Sequence, residues 1–148
     1  MENLCKILPE IENKSNCIHR QVGSILFDTI ENKIIATGTN ITPASSPCQE
    51  NHCCTKHITG LCPVIHSEVN CIFNALEDGY VNFSNAFMLC TYSPCFECSK
   101  VLVRWKVPKL YYIYKHHRTQ WEYLKRNGVD CIQLEPEGYK NEEKSNIT

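Results

Sequence analysis

The chain carries no excess of positive charge, no long apolar run and no recognisable secretory leader, and each shortage removes a class of function. Fifteen basic residues meet sixteen acidic ones, a net charge of −1, whereas proteins that grip a nucleic-acid backbone carry a basic excess or stripe. One short cationic cluster, Lys115-His116-His117-Arg118, reads either as a solvated loop or as a local phosphate contact. No apolar stretch approaches the roughly 18 residues that a membrane span needs. The opening residues Met-Glu-Asn-Leu-Cys-Lys place an acid early and lack an apolar centre, so a cytoplasmic protein with reduced thiols is expected.

Cysteine is what the chain has in quantity. With 11 Cys in 148 residues, an odd count and no secretory signal argue against a disulfide framework. Metal chemistry is the alternative, and one pattern stands out. His66-Ser67-Glu68 is followed by Pro94-Cys95-Phe96-Glu97-Cys98. Roughly 0.8 C-x-x-C pairs arise by chance at this cysteine content, so the pair alone is weak. The preceding proline and the upstream H-x-E make the combination specific.

One imidazole and two thiolates leave the fourth tetrahedral position of a zinc ion open for water, which separates catalytic from structural zinc. The candidate metal ligands are therefore His66, Cys95 and Cys98. Glu68 is too close to His66 to be a convenient fourth ligand and is the candidate catalytic residue, a carboxylate that handles protons. A glutamate serving only as an ion-pair partner is the plain alternative. H-x-E followed by P-C-x-x-C is the signature of zinc nucleobase deaminases.

Local patterns support two helix starts at this site. Ser93 suits an N-cap and Pro94 a first helical turn, and Val101, Leu102 and Trp105 follow Cys98 at i+3, i+4 and i+7. A helix N-terminus favours thiolates. A second helical pattern, about His66 to Asp78, is expected to turn Val69, Ile72, Phe73 and Leu76 inward.

Elsewhere Leu4, Ile7, Leu8 and Ile11 mark a first helix whose limits Pro9 obscures. Residues 22–28 and 33–38 read as a hairpin turning at Glu31-Asn32. Strands are expected over 86–91, 110–114 and 129–134, and a helix over 121–126 stopped by Asn127-Gly128. Helices alternating with strands after a hairpin imply a mixed sheet covered on both faces. One domain is expected over residues 1–134, with residues 135–148 as a polar, mobile tail.

Between Asn40 and His66 the pattern vanishes in a stretch dense in Cys, His, Ser and Pro. A loop this long in a compact domain needs something to order it, and a structural zinc would do so. Cys17, Cys48, Cys54 and Cys62 are the first choice of ligands for that second metal, with His19, His52, Cys53 and His57 also in range. The alternative is a set of small buried hydrophobes and loop histidines.

From about Cys17 to Leu134 the chain resembles the deoxycytidylate deaminases of the cytidine deaminase superfamily, including phage-encoded members. Gln21-Val22-Gly23 is similar to the K/Q-V-G that leads into the family's first strand, and Thr37-Gly38-Thr39-Asn40 with Pro43 to its G-Y-N-G-x-P segment. His66-Ser67-Glu68-Val69-Asn70 matches H-A-E-x-N with Ser67 in place of alanine, and Ser93 to Cys98 matches the P-C-x-x-C element. Cys17 and Cys48 resemble cysteines that hold a second zinc in some phage members. Thr39 and Ile41 depart from the usual Tyr and Gly around Asn40.

The resemblance implies a three-layer α/β/α sandwich around a mixed five-stranded sheet, and a homo-oligomer. It implies hydrolytic, zinc-dependent conversion of dCMP to dUMP with release of ammonia. Asn40 would contact the nucleotide sugar, and Ser93 would offer its backbone carbonyl to the leaving amine. The expected partner is a free nucleotide, with neither membrane nor polynucleotide. Two other readings are a polynucleotide cytosine deaminase, because Ser-Pro-Cys-x-Glu-Cys resembles that branch too, and a non-catalytic zinc-stapled binding module. A binding module would hold zinc yet release no ammonia from any cytosine compound.

The cysteine-dense loop predicts two zinc ions per chain in the purified protein. A metal analysis returning one, with Cys48→Ser and Cys62→Ser both as stable as wild type, would contradict the second site.

Overall fold

A computed structural model describes residues 1–45 and 62–139. The elements follow one another as α1 (Glu2–Glu12), β1 (Gly23–Asp28), β2 (Lys33–Thr39), α2 (Ser67–Glu77), β3 (Ala86–Tyr92), α3 (Phe96–Arg104), β4 (Lys109–Tyr114), α4 (Trp121–Arg126) and β5 (Asp130–Gln133). The strands form one sheet in the order β2-β1-β3-β4-β5. β1 runs antiparallel to both neighbours, whereas β3, β4 and β5 are mutually parallel. Parallel neighbours need a crossover, and α3 and α4 supply them.

Side-chain alternation with period two decides what each face of the sheet buries. Leu26, Met88, Cys90, Leu110 and Tyr112 point to one side, where Ile72 and Ala75 of α2, Leu102 of α3 and Leu124 of α4 close over them. Ile25, Phe87, Leu89 and Ile113 point to the other, against Cys5, Leu8 and Ile11 of α1. The result is the expected α/β/α sandwich with a mixed five-stranded sheet. Complete burial of each Leu, Ile or Met here contributes roughly 1.5–3 kcal/mol.

The limits of the first helix are fixed, and two local expectations are corrected. α1 continues through Pro9, since Leu8 and Ile11 on either side of it are both buried in the α1 core. α2 turns Ser67, Glu68, Cys71, Ile72 and Ala75 inward and leaves Phe73 47% exposed. The buried stripe is rotated towards the small residues, because close approach of helix to sheet demands them. Ser93 does not cap α3. That helix begins at Phe96 with Cys95 as N-cap, and the Ser93 hydroxyl is engaged with Thr119 Oγ1 at 2.7 Å and the His116 backbone N–H at 2.8 Å.

Two connections tie the ends of the sheet to its helices. Ile41 and Ile65 exchange backbone hydrogen bonds of 3.0 and 2.8 Å in an isolated antiparallel bridge, which delivers the chain to the start of α2. Past β5, Tyr139 packs against the α1 core and donates its hydroxyl to Glu12 Oε1 at 3.4 Å. The rest of the expected tail, residues 140–148, lies outside the described residues.

Helix and sheet approach closely at Gly38. A Cβ there would lie 2.4 Å from both the Cys71 backbone nitrogen and the Ser67 carbonyl oxygen, and backbone on both sides cannot rotate away. Gly38→Ala is therefore expected to destabilise the fold by about 1–3 kcal/mol, the usual range for overpacking, with zinc content falling as α2 is displaced. Denaturant unfolding and metal analysis check this; an unchanged midpoint contradicts the contact.

Candidate metal centre

The antiparallel pairing of β1 with β3 sets Ser24 opposite Cys90, so the start of β1 and the end of β3 share one edge of the molecule. α2 begins at that edge, and the chain leaving β3 turns there into α3. His66 is the N-cap residue of α2 and Cys95 that of α3, both in extended backbone conformation. Cys98 follows within the first turn of α3. Two helix N-termini thus converge, and each brings partial positive charge towards the sulfurs.

The side chains meet. His66 Nδ1 lies 3.5 Å from Cys95 Sγ and 3.3 Å from Cys98 Sγ. The ligand atoms of the three residues are all within 4.8 Å of one another, and among the described residues no other group of His, Cys, Asp and Glu could hold a metal ion. The thiols are buried and His66 is exposed, so the site opens on the imidazole side.

Electrostatics explain what this donor set wants. The neighbouring Cys98 thiol, with help from His66, pulls the Cys95 thiol down to about 3 against burial. The same contact and burial push Cys98 up. His66 is held above its ordinary value, first by its hydrogen bond to Cys95 and then, against burial, by the negative charge of Glu68. One thiolate, one thiol and a proton-binding imidazole therefore share a small space. A divalent cation would replace the protons and neutralise both sulfurs at once, which is the normal course of metal binding to such ligands. One imidazole and two thiolates suit tetrahedral zinc with one position open.

Glu68 stands beside this cluster at 5% exposure. Burial pushes its carboxyl up, opposed by its own backbone N–H, His66 and Ser67. A carboxyl that holds a proton more readily than an exposed glutamate is suited to accepting one and giving it back.

Asn40, 6% exposed, holds the loop that precedes β1. Its Oδ1 accepts from Ser15 Oγ at 2.7 Å and the Val22 N–H at 2.8 Å, and its Nδ2 donates to the Arg20 carbonyl at 2.7 Å. That use leaves one amide N–H with which it could meet a ligand. Of the four residues expected to hold a second metal, Cys17 is buried and Cys62 half-buried. Cys48 and Cys54 lie outside the described residues.

Sequence reasoning missed Arg20 and Tyr92 near the mouth of the site. The Arg20 guanidinium lies over the Tyr92 ring, 4.8 Å from its centroid. His116 stacks on His117 with centroids 4.7 Å apart. Burial and then the neighbouring His117 hold the His116 imidazole down to about 4, with Cys95, Arg20 and Arg118 all close enough to act on it. Among the described residues Arg20, Lys115 and Arg118 form no ion pair. The Lys115-to-Arg118 cluster carried a charge signal in the sequence, but nothing there linked Arg20 to it.

The sequence profile of the "cytidine and deoxycytidylate deaminase zinc-binding region" family matches residues 1–114. Among solved structures, the chain is similar to a dCMP deaminase from the cyanophage S-TIM5. That protein is 26% identical over 90% of this chain and 95% of its own, with TM-scores of 0.72 to its apo form and 0.74 to its complex with dCMP and dUMP. A cytidine deaminase from Burkholderia pseudomallei, 20% identical over 78% of this chain and 84% of its own, shares the fold with a TM-score of 0.53. No curated protein sequence matches.

Proposed function

Because the chain belongs to the cytidine and deoxycytidylate deaminase family, we propose that it converts dCMP to dUMP by zinc-dependent hydrolysis, releasing ammonia. The observation that carries this reading is the meeting of His66, Cys95 and Cys98 at one point with the buried Glu68 alongside. The zinc would be held by those three side chains. When bound, it supplies Lewis acidity, which lowers the pKa of a water molecule towards about 7.

The remaining work falls to the chain itself. Glu68 takes one proton of the attacking water and delivers it to ring N3 as the remaining hydroxide adds to C4; it then takes the second proton from the new C4 hydroxyl and gives it to the exocyclic amine, which leaves as ammonia when the C4–N bond breaks. The Ser93 backbone carbonyl accepts from that amine, and Asn40 offers its remaining amide N–H to the sugar. Burial of Glu68 keeps bulk water from competing for the proton.

Selection of a monophosphate rests on charge. Arg20, Lys115 and Arg118, without carboxylate partners among the described residues, can meet one phosphate near the site mouth, whereas the chain's net charge of −1 offers no track for a polymer. The dCMP and dUMP complex of the cyanophage S-TIM5 relative supports a free nucleotide. The same reading includes a second, structural zinc on Cys17, Cys48, Cys54 and Cys62.

Glu68→Gln is expected to keep zinc and fold while losing at least about 10²-fold in rate, the lower bound for removing a general base. A variant with normal zinc and more than about a tenth of the wild-type rate contradicts the assigned role. Side-by-side kcat/KM for dCMP, dCTP, cytidine and a short single-stranded DNA tests the substrate. Each donor that is buried in the complex and left unpaired by a neutral nucleoside costs about 1–3 kcal/mol, so dCMP should lead cytidine by tens of fold. Equal turnover of cytidine or DNA overturns the nucleotide reading.

A further inference from the structure

Glu68 receives a side-chain hydrogen bond from the sheet side. Ser67 Oγ donates to Glu68 Oε2 at 3.2 Å. Ser67 Oγ is in turn 2.7 Å from Ser24 Oγ, and Ser24 Oγ is 3.5 Å from Cys90 Sγ. All four residues are buried, with Ser24 and Cys90 at 0% exposure, Ser67 at 1% and Glu68 at 5%. Ser24 occupies the face of β1 that Leu26 shares, where an apolar side chain would be ordinary. Ser67 stands where the H-A-E-x-N pattern has alanine.

Two hydroxyls carry two protons. One is used in the Ser24–Ser67 bond, whichever of the two oxygens donates it. A second remains, and its nearest acceptors are Glu68 Oε2 and the Cys90 sulfur. A carboxylate oxygen is a far better acceptor than a thiol sulfur. The stable arrangement therefore runs from Ser24 to Ser67 to Glu68, anchored in β1 through Ser24. A hydroxyl can also accept from a carboxylic acid, so the contact survives whichever way the Glu68 proton stands during turnover.

We propose that Ser24 and Ser67 are positioning residues for catalysis: together they fix the Glu68 carboxyl from the sheet side, holding Oε2 and leaving Oε1 to carry the proton transfers. This rests on the reading that Glu68 moves protons in deamination. Neither serine touches substrate. Ser24 acts only through Ser67, which gives the pair a signature that ordinary core packing does not have.

Steady-state dCMP deamination by the zinc-loaded Ser67→Ala, Ser24→Ala and double variants tests it. Ser67→Ala should lower kcat about five- to twentyfold, as a loosened catalytic group does, with KM within about twofold and zinc content unchanged. Ser24→Ala should lower kcat in the same direction by less. The double variant should be no slower than Ser67→Ala, because removing the second link of a broken chain costs nothing more. A Ser67→Ala kcat within twofold of wild type at full zinc content overturns the proposal, as does a double variant whose losses multiply. If Glu68→Gln abolishes activity while Ser67→Ala does not change it, only the positioning role falls. If no cytosine compound is deaminated, or if Glu68→Gln stays active, the underlying reading fails and this one with it.

Discussion

The site depends on how closely α2 lies on β2. At Gly38 backbone meets backbone, with the Ser67 carbonyl and the Cys71 nitrogen where a side chain would otherwise stand. Two asparagines of α2 complete the attachment: Asn70 Nδ2 donates to the Thr39 carbonyl at 3.0 Å and Asn74 Nδ2 to the Thr37 carbonyl at 2.8 Å. These bonds fix the helix along the strand as well as against it. His66, Ser67 and Glu68 lie at the end of α2 so attached, and its small inward residues follow from the same close approach.

The second consequence is electrostatic. Two buried sulfurs and a buried carboxyl within one small volume repel as anions or bind protons to avoid it, and the imidazole among them is drawn to its protonated form. Helix N-termini offset part of that cost, and a divalent cation at the three ligand atoms would offset more of it. The arrangement that makes Cys95 acidic and Cys98 reluctant in the same pair thus has a simple resolution in metal binding.

Around this core the loops are tied down by polar contacts of long sequence separation. Ser93 joins the end of β3 to the segment after β4 through Thr119 and His116. Thr91 Oγ1 accepts from the Gly23 N–H at 3.0 Å and donates to Glu12 at the end of α1, which Tyr139 also reaches. Asn40 ties Ser15, Arg20 and Val22 to the end of β2. The loops next to the site are therefore held by contacts that join distant stretches of chain.

What could be read from the sequence was whatever chemistry is written within one turn or one strand. His66 and Glu68 share a helix start and Cys95 and Cys98 a single turn, so their residue types and spacing are local facts; strand alternation and turn residues are local too, and the mixed sheet and its helices were legible from them. That the imidazole and the two sulfurs meet across 29 and 32 residues is a matter of strand order and helix docking, for which a periodic pattern carries no distance. The rotation of α2 that exposes Phe73 was settled by the backbone contact at Gly38. The partnership of Ser24 with Ser67 came from the docking of α2 on the sheet, and that of Arg20 with the Tyr92 ring from loop closure. A lone serine in an apolar strand, or a single arginine before one, has no periodic signal, and only packing decides what it touches.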